Sequence, residues 1–155
     1  MDRWYWPHHV ALERAVNDVV TRSGHCLIVD CHSFPSVALP YELDQTGPRA
    51  DFCIGTGAFH TPAPVRDALV AAVREAGHSV TVNTPFAGAL VPLAFYRKDR
   101  RIRSVMIEVN RRAYMDEHSG LKIPAFEQLR VLVGQLIVTA AEMAWRDLHA
   151  YYRGM

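Results

Sequence analysis

His25-Cys26-Leu27-Ile28-Val29, running straight into Asp30-Cys31-His32-Ser33, is the stretch that decides the fold. A continuous apolar run of strand length, preceded by Gly24 and followed by polar residues, reads as a strand buried on both faces of a mostly parallel sheet. Upstream, Val10, Leu12, Ala15, Val16, Val19 and Val20 recur at helical intervals over residues 7–22, and Pro7 suits a first turn. Downstream, residues 34–49 hold Pro35, Pro40, Gly47 and Pro48. That composition predicts a long irregular loop, and such loops are more often functional or mobile than merely connective. Phe52-Cys53-Ile54-Gly55 reads as a short second strand. Thr61 is placed to cap a helix over residues 62–76, which Gly77 closes. Ser79-Val80-Thr81-Val82-Asn83 alternates as a strand does, Val105-Met106-Ile107-Glu108-Val109 is a further apolar strand, and Pro124 opens a last amphipathic helix over residues 124–149. Helix, strand, loop, strand, helix, strand, strand, helix is the order of an α/β layer fold.

Composition narrows the function classes. The 155 residues fit one domain with a sizeable core, half of them are hydrophobic and 21% are charged, as in ordinary globular proteins. A formal charge of +1 leaves no electrostatic footprint for nucleic acid or an acidic membrane surface. The basic run Arg97-Lys98-Asp99-Arg100-Arg101-Ile102-Arg103 reads as a solvated loop. No stretch has the apolar length of a membrane span, and no charged-then-apolar leader opens the chain. Three cysteines, Cys26, Cys31 and Cys53, lie within apolar runs, which favours buried thiols in a reducing compartment and a cytoplasmic address.

The chemistry-bearing residues cluster at strand ends, where ligands of α/β sheets usually sit. His32 and Asn110 fall just past two apparent strands. Glu108 is inside one, and a carboxylate there is costly unless paired or used. Two readings of it stand: a structural ion pair with Arg111 or Arg112, or a catalytic group. His32 taken alone reads as a satisfied structural histidine or as a metal ligand. Cys31 beside His32 makes a poor thiol–imidazole pair, because neighbours on a strand point to opposite faces. No Gly-x-Ser-x-Gly elbow, phosphate loop or dinucleotide fingerprint is present.

Taken together, several segments are similar to the N-formylglutamate amidohydrolase family. They are Pro7-His8-His9, Ile28-Val29-Asp30-Cys31-His32-Ser33, residues 51–55, Asn83-Thr84-Pro85-Phe86-Ala87-Gly88, and Ile107-Glu108-Val109-Asn110-Arg111-Arg112-Ala113-Tyr114-Met115-Asp116-Glu117. The resemblance covers nearly the whole chain. It implies a single N-formylglutamate amidohydrolase-like domain over residues 1–155, incomplete at its start, with a three-layer α/β/α sandwich around a mostly parallel sheet, as in zinc carboxypeptidases. It also implies zinc-dependent hydrolysis of an N-formyl or N-acyl amino acid, chiefly N-formyl-L-glutamate to formate and glutamate, late in histidine breakdown. On that basis His32 is the expected zinc ligand and Glu108 the expected proton acceptor. Arg111 is the expected partner of a substrate carboxylate or oxyanion. Asn83 and Asn110 are expected to hydrogen-bond the substrate backbone or to position loops, and Gly88 to allow close approach of the chain.

The resemblance also implies a further N-terminal section with a Pro-His-Ser-Gly-like motif, carrying a first histidine and an acidic zinc ligand. A catalytic zinc takes three protein ligands and one open position, and here His32 alone is accounted for. His9 and Glu13 stand at i, i+4, a spacing common by chance on helix surfaces. Ala89 replaces an expected glycine and Phe95 an expected histidine. Three expectations remain open: a piece of a longer hydrolase, a non-catalytic relative that binds a small acid or a protein, or one subunit of a composite enzyme. An unpaired apolar strand edge would favour a homo-oligomer.

Overall fold

The computed structural model describes residues 2–153. Its regular elements are α1 (Tyr5–Ser23), β1 (Cys26–Phe34), β2 (Phe52–Gly55), α2 (Ala63–Glu75), β3 (Val80–Val82), β4 (Ile102–Asn110) and α3 (Phe126–Arg153), in the order expected. A 3-10 turn, Arg111–Ala113, follows β4. The sheet runs β1-β4-β2-β3. β1 is parallel to β4 and β2 to β3, while β2 and β4 are antiparallel. The sheet is therefore mostly parallel in an α/β fold.

Strand parity sorts the core. In β4 all nine residues are buried. Its odd-numbered residues Val105, Ile107 and Val109 join Phe52, Ile54, the α2 stripe Val65, Leu69 and Val73, and the α3 stripe Leu129, Leu132, Leu136, Ala140 and Ala144. Both stripes repeat at three- and four-residue intervals, so each helix turns one apolar side to the sheet. At the start of the opposite face, Ile102 and Cys26 pack with Val16 and Val20 of α1. Gly24 ends α1 in the left-handed conformation, its N–H bonded to the Val20 carbonyl.

Several expectations shift. β1 runs on through Asp30-Cys31-His32-Ser33 to Phe34, so His32 lies within the strand rather than past it. Thr61 does not cap α2; its hydroxyl donates to the Ser104 carbonyl, and Pro62 takes the cap position without a side-chain bond. Arg103 belongs to buried β4 and pairs with Asp147 at 2.7 Å, so it is not part of a solvated loop. Cys26 and Cys53 are buried free thiols, but Cys31 is exposed. Residues 35–51 are irregular, as their prolines predict. No helix is long and apolar enough to cross a membrane among the described residues.

Candidate functional site at the polar face of the sheet

The register builds the site. His32 pairs with Glu108 across β1–β4, and Cys53 pairs with Glu108 across β2–β4. Asp30, His32 and Phe34 share a face with Met106, Glu108 and Asn110, because the paired strands alternate in step. His32 Nε2 stands 2.8 Å from Asp30 Oδ1, and the imidazole is about half exposed, at 53%. In the tautomer that donates to Asp30, Nδ1 keeps its lone pair for a further partner.

Glu108 is only 6% exposed, and its Oε2 has no hydrogen-bond partner. Neither Arg111 nor Arg112 pairs with it among the described residues, which removes the structural ion-pair reading. Burial pushes its carboxyl above the usual glutamate range; the fields of His32 and Arg111 pull it down, and that of Asp30 adds to the rise. Such a group holds a proton more readily than an ordinary carboxylate and can take one up and return it.

The other expected residues are placed differently. Arg111 donates to the Ser33 hydroxyl at 3.3 Å and the Ser33 carbonyl at 3.4 Å, which ties the end of β4 to β1. Arg112 bonds the Arg49 carbonyl and Asp51. Asp51 is pushed up by burial, but hydrogen bonds from Ser79 and Arg112 outweigh this and hold it low. Asn110 is fully buried; its Nδ2 donates to the Ala50 carbonyl and its Oδ1 accepts the Arg112 N–H. Asn83 adopts a left-handed φ of 57°. Its Oδ1 accepts from the N–H groups of Thr56 and Gly88, and its Nδ2 donates to the Thr56 hydroxyl. Both asparagines therefore hold loops to strand ends.

The close approach expected at Gly88 falls on another residue. Gly88 needs its positive φ of 99°, but a Cβ there would meet nothing. A Cβ on Gly55 would collide with the Gly88 carbonyl and with Met106. Gly55 is what lets the Gly88 segment lie against the sheet.

Arg49 escaped the sequence reading altogether. It is 5% exposed, with its guanidinium carbon 5.9 Å from the Phe34 ring centre and 5.8 Å from that of Phe86. It pairs with Glu42, donates to the carbonyls of Pro35 and Asp44, and leaves Nε without a partner. No periodic pattern marks a buried arginine inside an irregular segment, and Phe34 and Phe86, far away in the chain, meet it only in the fold.

A cavity of about 390 Å³ opens beside β1. Its walls include Cys31, Ile107, Tyr114, Phe126 and Leu129, mostly from the sealed face, together with His32 and Ser33. Glu108 does not line it. Its apolar character describes a gap between β1 and α3 rather than the place where the carboxylate stands.

Among the described residues, no three His, Cys, Asp or Glu side chains come together as a group able to hold a metal ion. The His9 ring lies against Tyr5 and His8 instead. His32, backed by Asp30, has the chemistry of one imidazole ligand. By themselves, the described residues do not fit a catalytic zinc, which needs two more protein donors.

An α/β chain with a buried, unpaired carboxylate beside a histidine near the carboxyl ends of parallel strands has the layout of a ligand-binding or hydrolytic domain. The comparisons make that class particular. The profile of the N-formylglutamate amidohydrolase family matches residues 1–115, so the chain belongs to that family. It is also similar to the crystal structure of N-formylglutamate amidohydrolase from Ralstonia eutropha JMP134, with a TM-score of 0.65 and 26% identity. That match covers 99% of this chain and 53% of the other, so the chain spans about half the length of its structural relative. Among curated proteins no sequence match was found.

Proposed function

We propose that this domain takes part in hydrolysis of the amide bond of an N-formyl or N-acyl amino acid, with N-formyl-L-glutamate as the first substrate to test. The observation that carries the reading is Glu108: buried in an apolar strand, raised in pKa, unpaired at Oε2, and opposite His32. Glu108 would take a proton from water as its oxygen adds to the formyl carbon. It would then return that proton to the amine nitrogen as the carbon–nitrogen bond breaks. One water is consumed, and formate and the free amino acid are produced.

Zinc dependence and a three-layer, zinc-carboxypeptidase-like arrangement are part of the same proposal. A bound zinc would polarise the carbonyl and acidify water. His32 would be one ligand, and the remaining donors would have to come from outside the described residues. Asp30 would orient the imidazole. Arg111 would act on a substrate carboxylate or oxyanion only after leaving Ser33. Asn83 and Asn110 would position loops, the second of their expected roles. A single domain over residues 1–155, a cytoplasmic setting, a role in histidine breakdown and association into a homo-oligomer stay within this proposal.

The test is zinc content per chain together with formate release from N-formyl-L-glutamate, for the wild type and for Glu108→Gln and His32→Ala. The reading expects metal lost with His32→Ala, and metal retained but formate release lowered by orders of magnitude with Glu108→Gln. A folded protein with neither zinc nor formate release would favour a non-catalytic relative that binds a small acid.

A further inference from the structure

The proposed substrate is an acid as well as an amide, and the polar face holds one buried cation that the hydrolytic step does not use. We propose that Arg49 receives the side-chain carboxylate of the substrate, and that Glu42 occupies its place in the ligand-free chain. This rests on reading the Glu108 face as the substrate site.

Position comes first. Phe34 ends β1 two residues beyond His32, on the face that carries Glu108, and pairs with Asn110. The Phe86 carbonyl accepts the Cys53 thiol, and Cys53 is the cross-strand neighbour of Glu108. Phe34 and Phe86 meet edge to face with centres 5.8 Å apart, and the Arg49 guanidinium lies near both rings. The cation is therefore fixed at the carboxyl end of the Glu108 face, against apolar walls that strengthen its pull on an anion.

Its bonding is incomplete. Nη1 donates to the Pro35 carbonyl at 3.1 Å, and Nη2 donates to Glu42 Oε2 and to the Asp44 carbonyl at 3.2 Å. Nε, buried, has nothing. A guanidinium fork offers paired donors to both oxygens of a carboxylate, whereas Glu42 meets this one through a single oxygen. Its other oxygen accepts the Leu39 N–H at 3.2 Å.

Glu42 matches the proposed ligand chemically. Its side chain is two methylenes and a carboxylate, the same group that a glutamyl substrate carries. It is held low by its hydrogen bond to Arg49, and the charge of Arg111 contributes in the same direction. Two cations thus favour one anion at this place. The segment that brings Glu42 is irregular, and its neighbours Tyr41 and Leu43 are 81% and 104% exposed. Little apolar packing holds the segment down, so an incoming carboxylate competes mainly with the polar contacts of Glu42.

Glutarate, a dicarboxylate with no amide to cleave, is the probe. Calorimetric titration of the full chain should give about tenfold tighter glutarate binding for Glu42→Gln than for wild type, as when a competitor filling the site nine-tenths of the time is removed. Arg49→Lys placed on Glu42→Gln should cancel the gain, and butyramide, which has the chain but no carboxylate, should bind no tighter to any variant. Because Arg49→Lys perturbs a buried group, the Arg49 Nε–H resonance of the unmutated chain provides a second reading. Saturating glutarate should shift it. Equal glutarate affinity with and without Glu42, or an unmoved Arg49 resonance at saturation, would overturn the assignment. Glutarate bound through Arg49 with no formate release by the zinc-loaded chain would sink the hydrolytic reading alone. Formate release with no glutarate effect would sink this one alone.

Discussion

The two faces of β4 are made from one strand and could hardly differ more. Val105, Ile107 and Val109 are sealed under α2 and α3. Ser104, Met106, Glu108 and Asn110 alternate with them and are just as buried, yet three of the four are polar. Ser104 and Asn110 are hydrogen-bonded to loop carbonyls, whereas Glu108 Oε2 is left open. The contrast separates two reasons for burial. On the sealed face, burial is the source of stability. On the polar face it holds loops in place and keeps one carboxylate in an environment that disfavours its charge.

The largest effect expected is kinetic. If the polar face carries the chemistry, Glu108→Gln should lower formate release by about 10²–10⁴-fold, the usual share of a positioned acid–base group, in a steady-state assay on zinc-loaded protein. The fold should survive. Comparable activity in the variant would erase the distinction between the faces.

Next comes the sealed face. Ile107→Ala removes a buried side chain between the sheet and α3 and should cost about 2–5 kcal/mol in urea unfolding. Asn110→Ala tests the loop-holding role on the other side. It strands the Ala50 carbonyl and the Arg112 N–H, and a loss of about 1–3 kcal/mol is expected from the same unfolding assay.

The smallest effect has the opposite sign. A carboxyl raised in the folded state binds its proton more tightly there than in the unfolded chain. Stability therefore falls as pH rises from the unfolded pKa through the folded one, and the cost is complete above it. Glu108→Gln should accordingly melt higher than wild type at neutral pH, by about 2–4 °C for each kcal/mol relieved. The difference should shrink towards pH 4 in thermal scans. A variant less stable at neutral pH would mean that Glu108 is a structural group after all.

Much of this contrast was legible in the chain. Phe52-Cys53-Ile54-Gly55 and the core of β4 announce themselves because a strand buried on both sides needs an unbroken apolar run. Glu108 stands out for the same reason, as the one charge inside such a run. The extension of β1 did not, because Asp30-Cys31-His32-Ser33 is polar and no apolar run marks it as strand; its place at the edge of the sheet is a matter of topology. The antiparallel meeting of β2 and β4 was hidden as well, since local pattern carries no pairing information across 50 residues of chain. The contact at Gly55 was assigned to Gly88 because the motif highlighted the loop glycine, while the steric demand falls on the strand beneath it. Arg49 was missed because its partners, Glu42, Pro35 and Asp44, come from irregular backbone that no periodicity describes.

The most direct check is a carbon-13 NMR titration of the Glu108 side-chain carboxyl in the folded chain, assigned by its loss in Glu108→Gln. A midpoint clearly above that of an ordinary glutamate is the predicted result, because burial without a hydrogen bond at Oε2 disfavours the charge. A midpoint at or below the ordinary value would mean that Glu108 is a paired carboxylate, and the polar face of β4 would lose its claim to the chemistry.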